Sequence, residues 1–222
     1  MAQGFTSQLP VPLPVAQGGS GVVSNTSYAV LCGGTTSTNP IQSVASVGSA
    51  GEVLVSNGSG ALPTFQGATG FFAYLAVAKT NVTGDGTLYS VPFDSLKYDT
   101  ASGFDTTTGV YTIPKTGIWT LGYFLTLTNL NSSHTSGQIV IRQTAGGGQT
   151  YYGPRVNFAA IRRVTNDANT VSLPFSFDTN FSATDTVNVS VAIFNNTKTV
   201  GVIETSNANY QSCFFGTWRG SI

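Results

Sequence analysis

Charge is scarce in this 222-residue chain: nine Lys plus Arg balance nine Asp plus Glu, and together they make up 8% of the residues. A nucleic-acid binder needs a basic surplus to neutralise phosphates, and none is present. Histidine and methionine occur once each and cysteine only twice. Cys32 and Cys213, 181 positions apart, do not make a disulfide framework and are expected as small buried hydrophobes. No apolar run reaches the ~18 residues of a membrane span. The start, Met1-Ala2-Gln3-Gly4-Phe5, lacks a basic stretch followed by an apolar one, so no secretory signal is expected. A disordered chain would have few hydrophobic residues and high net charge; this one is 41% hydrophobic and formally neutral.

What is present points to β-structure. Thr, Val, Tyr and Phe are frequent, whereas Glu, Lys and Met, the helix formers of surface helices, are rare. No long stretch shows a 3.6-residue apolar period. The best helical candidate, Asn157 to Val164, is short and holds two adjacent arginines.

The few charges are unevenly placed. Residues 1 to 78 hold one, Glu52, and the other seventeen fall between Lys79 and Arg219. The composition shifts near Gly67-Ala68-Thr69-Gly70, which divides the chain into a segment 1–66 and a domain 67–222. Within the segment, Leu9-Pro10-Val11-Pro12-Leu13-Pro14 alternates proline with apolar residues, so it is expected to be extended and unable to join a central strand. Strand-length apolar pieces follow, Tyr28 to Leu31, Ile41 to Val47 and Val53 to Val55, each ended by a glycine-rich break. The segment carries Val, Leu, Ile and Phe but is too short for a core of its own. Identical copies packed against one another would cover its apolar faces.

The domain 67–222 shows period-two alternation. Trp119, Leu121, Tyr123, Leu125 and Leu127 fall on one face of a long strand. Val187, Val189, Val191 and Ile193 fall on one face of another, with Asn188 and Ser190 expected outward in solvent. Turn chemistry separates such runs at Thr83-Gly84-Asp85-Gly86, Thr107-Thr108-Gly109 and Asn195-Asn196-Thr197. Eight to ten short strands in this length give an all-β sandwich or jelly roll.

The sequence offers little for catalysis. His134, the one histidine, lies in the Asn/Ser/Thr-rich stretch Asn129 to Gly137 and is expected as an exposed polar loop residue. No Gly-x-Ser-x-Gly elbow accompanies it, and one His with two distant Cys makes no ordinary zinc site. Asp94, Asp99 and Asp105 stand at turns or strand ends, where Asp is ordinary. No enzyme activity, metal or cofactor is expected. Recognition chemistry is better represented. Tyr151, Tyr152, Arg155, Arg162 and Arg163 follow the triple glycine Gly146-Gly147-Gly148, and with His134 they are the candidate receptor-binding residues. The alternative is that the tyrosine pair straddles a strand, one in and one out, with the arginines in intersubunit ion pairs.

Three stretches carry a family resemblance. Phe72-Ala73-Tyr74-Leu75, then Phe104-Asp105 with Thr107 to Trp119, then Phe215-Gly216-Thr217-Trp218 resemble the opening, central and closing strands of the C1q/TNF-like jelly-roll family. Trp119 stands where that family usually has Tyr, and no collagen Gly-X-Y region precedes it. The segment 1–66 is similar to N-terminal stalks of phage tail-fibre and spike proteins, through Gly18-Gly19-Ser20-Gly21, Ser27 to Thr35 and Gly51 to Gly58. The resemblance implies an all-β, C1q/TNF-like jelly-roll head on an extended Gly/Pro-rich stalk, assembled as a homotrimer. It further implies a fibre or spike of a virion whose head binds a host surface glycan or protein. The N-terminal segment would meet other virion proteins, with Phe5, Leu9, Val11 and Leu13 as candidate attachment residues. A bacterial trimeric surface adhesin and a structural spike or joint without receptor binding are the alternatives.

Overall fold

The computed structural model describes residues 13–15, 19–36, 39–162, 169–204 and 212–221. The chain divides into two compact units, Met1–Ala68 and Thr69–Ile222. Of the proposed attachment residues, Phe5, Leu9 and Val11 lie outside the described residues; Leu13 is half-buried.

The first unit consists of two small antiparallel hairpins. β1 (Leu31–Cys32) pairs with β2 (Gln42–Ser43), and β3 (Val53–Val55) pairs with β4 (Thr64–Gln66). Glycine-rich breaks keep each strand to two or three residues, so no face is wide enough to form a layer. Val44 is buried, but Val23, Tyr28, Leu31, Val47, Val53 and Leu54 are all exposed, Tyr28 by 98% and Val53 by 63%. Cys32 is half-buried rather than buried, a correction that follows from the same thinness.

The second unit is an all-β sandwich. Its strands are β5 (Gly70–Tyr74), β6 (Lys79–Thr83), β7 (Tyr89–Ser90), β8 (Ser95–Asp99), β9 (Phe104–Asp105), β10 (Val110–Thr112), β11 (Gly117–Thr128), β12 (Ser136–Ala145), β13 (Gly148–Tyr152), β14 (Arg155–Asn157), β15 (Val171–Phe181), β16 (Thr186–Phe194), β17 (Val200–Val202) and β18 (Ser212–Gly220). A one-turn helix, α1 (Phe158–Arg162), falls inside the helical candidate stretch. In the first sheet β11 lies between β15 and β18, and β18 between β11 and β5, with β8 beyond. In the second sheet the order is β13, β12, β16, β10, β9, with β14 on β12 and β7 on β16. All pairings are antiparallel, and successive long strands alternate between the sheets, which is the jelly-roll connection.

Alternation builds the core. On β11, Trp119, Leu121, Tyr123, Leu125 and Leu127 all point inward and are buried, facing Val187, Val189, Val191 and Ile193 of β16. An aromatic cluster closes one end, where the Phe71 ring stacks on Tyr111 at 4.0 Å between centroids and meets Phe214 edge-on at 4.9 Å. The polar handles of the core aromatics are mostly engaged. Trp119 Nε1 donates to the Lys115 carbonyl at 2.9 Å, and Tyr123 Oη donates to the Ile139 carbonyl at 2.8 Å. Tyr111 Oη is buried and has no hydrogen-bond partner among the described residues. Pro174, which cannot donate to a ladder, sits in β15, paired on one side with β11.

One turn expected from the sequence, between β9 and β10, forms a capped hairpin. The Asp105 carboxylate accepts from Thr107 N–H at 2.8 Å and Thr108 Oγ1 at 2.7 Å. Gly109 then takes φ +72°, where an added Cβ would run into the Val91 carbonyl.

Burial pushes the phenols of Tyr111 and Tyr123 above the usual tyrosine range. Folding therefore favours the neutral phenols. Their contribution is complete below the unfolded value of about 10 and is lost as pH rises beyond it. Urea denaturation is expected to show stability declining above about pH 10, less steeply in Tyr123→Phe. At pH 7, Tyr111→Phe removes an orphan hydroxyl and should leave stability unchanged or higher, whereas Leu121→Ala should cost about 2–5 kcal/mol.

Candidate functional site

The outer face of the second sheet is set by register. Because Ile139 and Ile141 of β12 point into the core, Ser136, Gln138, Val140, Arg142 and Thr144 point away from it. Their partners on β16 are Phe194, Ala192, Ser190, Asn188 and Thr186, in that order. On the other side Arg155 of β14 lies opposite Gln138, and Tyr151 of β13 lies opposite Arg142.

Asn188 and Ser190 were expected in solvent, and the structure corrects this: both are buried. β16 is an interior strand, and neighbouring side chains close over its outer face. The cover is hydrogen-bonded throughout. Asn188 Nδ2 donates to Ser90 Oγ at 3.1 Å and to Ser190 Oγ at 3.3 Å, while its Oδ1 accepts from Arg142 Nε at 3.2 Å. Arg142 is thus anchored at Nε by a side chain that is itself held in place.

One end of this face opens into a cleft of about 380 Å³ lined by Ser136, Gly137, Gln138, Arg155, Val156, Phe194 and Asn195. Its floor and rim are fixed locally. Asn195 has φ +78° at the end of β16, and its Nδ2 donates to Thr135 Oγ1 at 2.7 Å and Ser136 Oγ at 3.2 Å. Gly86, at φ +90°, lies against the Phe194 ring, where an added Cβ would come within 3.1 Å of it. The lining is therefore hydroxyl, amide, guanidinium and one aromatic ring.

The sequence-derived recognition residues divide. Tyr151 and Arg155 stand on this outer face and are exposed. Tyr152 faces the other way: its ring stacks on Phe177 at 4.6 Å, and its Oη donates to Gln143 Oε1 at 2.7 Å. Burial is the largest cause holding its phenol above the usual range. The tyrosine pair straddles β13, one in and one out. Arg162 ends α1, and Arg163 lies outside the described residues.

His134 is a further correction. It has no exposed surface, so it is a structural residue of its loop and offers nothing to a docking partner in this conformation. Its Nδ1 accepts from Asn131 N–H at 3.0 Å, and its Nε2 lies 3.2 Å from the Thr197 carbonyl. These partners assign the proton to Nε2. The ring ties the loop after β11 to the turn after β16, a long-range contact that no local pattern announces. Arg142 and Asn188 are the residues that sequence reading missed. Arg142 lies in a strand whose alternation placed it outward, and that was the available signal.

The carboxylates noted in the sequence are engaged in local contacts. The Asp94 carboxylate accepts from Ala76 N–H at 2.6 Å and pairs with Lys79 Nζ at 3.3 Å. Asp99 accepts from Ala101 and Phe104 N–H at 3.1 and 2.8 Å. Among the described residues no group of three or more His, Cys, Asp or Glu side chains is placed to hold a metal.

The outer face of the first sheet is chemically different. Phe215 of β18 lies flat over Gly122, where a Cβ would meet its ring, and stacks on Phe72 of β5 at 6.3 Å. Leu96 and Tyr98 of β8 are exposed alongside. An apolar groove of about 370 Å³ runs past Phe124, Pro174, Phe175 and Phe215.

No protein-family model matches the chain, and no curated protein matches it in sequence. Solved structures similar to it include murine APRIL at pH 8.5, with 10% identity over 68% of this chain and 99% of that one and a TM-score of 0.48. The globular domain of zebrafish complement 1qA is similar at 10% identity over 69% and 99%, TM-score 0.47. Eiger TNF from S. frugiperda is similar at 10% identity over 70% and 94%, TM-score 0.48.

The two buried and exposed aromatic positions give a direct check. In chemical denaturation, His134→Ala should cost about 1–3 kcal/mol by leaving Asn131 N–H and the Thr197 carbonyl unpaired. Tyr151→Ala should stay within about 0.5 kcal/mol of the parent.

Proposed function

We propose that the chain is a homotrimeric appendage of a virus particle, a fibre or spike. Residues 1–66 attach to the particle and form the shaft, and the jelly-roll head 67–222 engages a receptor on the host surface. The observation that carries this reading is the first unit itself. It buries Val44 but leaves Val23, Tyr28, Leu31, Val47, Val53 and Leu54 exposed, with Glu52 as its single charge. Each such side chain is worth about 1.5–3 kcal/mol when covered, and sister chains are the cover always present at the right stoichiometry.

The head supports the same assembly. Its first sheet turns Phe72, Phe215, Leu96 and Tyr98 outward around an apolar groove, a surface suited to a second copy. The second sheet turns polar groups and arginines outward, a surface suited to a ligand. Three copies of that surface on one shaft raise weak single-site binding by ~10² to 10⁴ in avidity, which is what attachment to a cell surface requires. The resemblance of the stalk to phage fibre segments supports a virion as its location, at the particle surface or on the tail.

Electron microscopy of particles labelled with an antibody to the head tests the assignment. Label at the distal end of a fibre or spike is expected, and particles that carry no label overturn it. Phe215→Asp is expected to weaken the trimer, raising the share of lower-order species in sedimentation of dilute protein, while Arg155→Ala, on the opposite face, leaves the trimer unchanged.

A further inference from the structure

The outer face of the second sheet carries two guanidinium groups that the fold does not neutralise. Among the described residues the ion pair is Lys79–Asp94, and neither Arg142 nor Arg155 has a carboxylate within reach. Of the chain's nine basic side chains these two share one sheet face, and both are guanidiniums. The two also differ in how they are held. Arg155 is exposed at the cleft rim. Arg142 is half-buried, and its Nε is fixed by Asn188, which Ser90 and Ser190 hold in turn. The Nη1 and Nη2 donors of Arg142 meet no protein acceptor among the described residues.

We infer that this face, from the Arg155 cleft to Arg142, binds a glycan that bears carboxylate groups. The inference rests on the reading of the head as the receptor-binding part and names the class of receptor. Three features select that class. A guanidinium matches a carboxylate bidentately, which explains arginine at both ends of the face. Ser136, Gln138 and Asn195 offer donors and acceptors of the kind that sugar hydroxyls use, and the Phe194 ring offers an apolar surface for the C–H face of a pyranose. The cleft, about 380 Å³, is of small-ligand size and open, so a chain can enter and leave it.

Register also argues for a polymer. Arg155 lies opposite Gln138, and Arg142 is four residues farther along β12. At ~3.3 Å per residue the two guanidiniums attach about 13 Å apart along one strand direction. A single acidic sugar in the cleft does not reach the second arginine, whereas successive units of an acidic polysaccharide do. Tyr151, exposed and directly across from Arg142, extends the aromatic surface at that end.

The test uses the full-length chain immobilised as purified and two soluble polymers of matched length, polygalacturonate and neutral dextran. Binding of polygalacturonate and not dextran, weakening as salt is raised, is the expected result. Arg155→Ala should lower apparent affinity at least tenfold and Arg142→Ala severalfold, while Arg155→Lys, which keeps charge but loses the fork, recovers part of the loss. Lys97→Ala, on the opposite sheet, should change nothing. Equal binding of both polymers overturns the inference, as does an equal loss in Lys97→Ala, which would mark non-specific charge attraction. Host-cell attachment that persists in Arg155→Ala also overturns it while leaving the head as the attachment part; failure of the parent chain to bind cells at all is instead a failure of the receptor-binding reading.

Discussion

A β-sheet has two faces, and within one sandwich each sheet can cover only one of its partner's. In the head that constraint is met inside the chain. Trp119 through Leu127 on β11 and Val187 through Ile193 on β16 press together, and every long strand contributes alternate residues to the same interior. The two outer faces are then left to be handled by composition. One is aromatic, with Phe215 laid over Gly122 and against Phe72. The other is polar, with Asn188, Ser190 and Ser90 closing over the middle strand and arginines at its margin. In the proposed assembly the aromatic face would meet sister chains and the polar, arginine-bearing face a ligand, without overlap.

The first unit cannot meet the same constraint alone. Its two hairpins are single layers of two- and three-residue strands, and among the described residues no further strand of the unit covers Val53, Leu54 or Leu31. Half a dozen uncovered apolar side chains amount to roughly 10 kcal/mol of unrealised burial, comparable to the whole stability of a small domain. In the proposed trimer, sister chains at fixed stoichiometry would recover it. Near-absence of charge in this unit fits the same picture, since charged side chains at a packed interchain seam would have to be desolvated or paired.

Much of the head was legible in the sequence because its long strands alternate without interruption. The inward sets of β11 and β16 and the in–out split of Tyr151 and Tyr152 follow from a period of two, and the Asp105 to Gly109 turn from its Asp, Thr and Gly residues. The pairing of the short strands was not legible. β7, β9 and β17 are two or three residues long, too short to carry a period, and their partners are set by the sheet they join. Burial of outward polar residues was also hidden. Asn188 and Ser190 read as solvent-facing because alternation reports which side of a sheet a residue is on, not what lies above it. His134 read as exposed because its stretch is polar, whereas its partners, Asn131 and Thr197, include one 63 positions away. Among the cleft residues, Arg155 was visible as an arginine beside tyrosines, but Ser136, Gln138 and Asn195 gained meaning only from the register of β12 against β14 and β16.

The central claim is that the leading unit is covered by copies of itself. Native mass spectrometry of the full-length chain at micromolar concentration tests it most directly. The account predicts a species of three times the 23.1 kDa chain mass, with the amides of Val53 to Val55 and Thr64 to Gln66 protected from hydrogen exchange in that species. A 23.1 kDa monomer with those amides equally protected would contradict it.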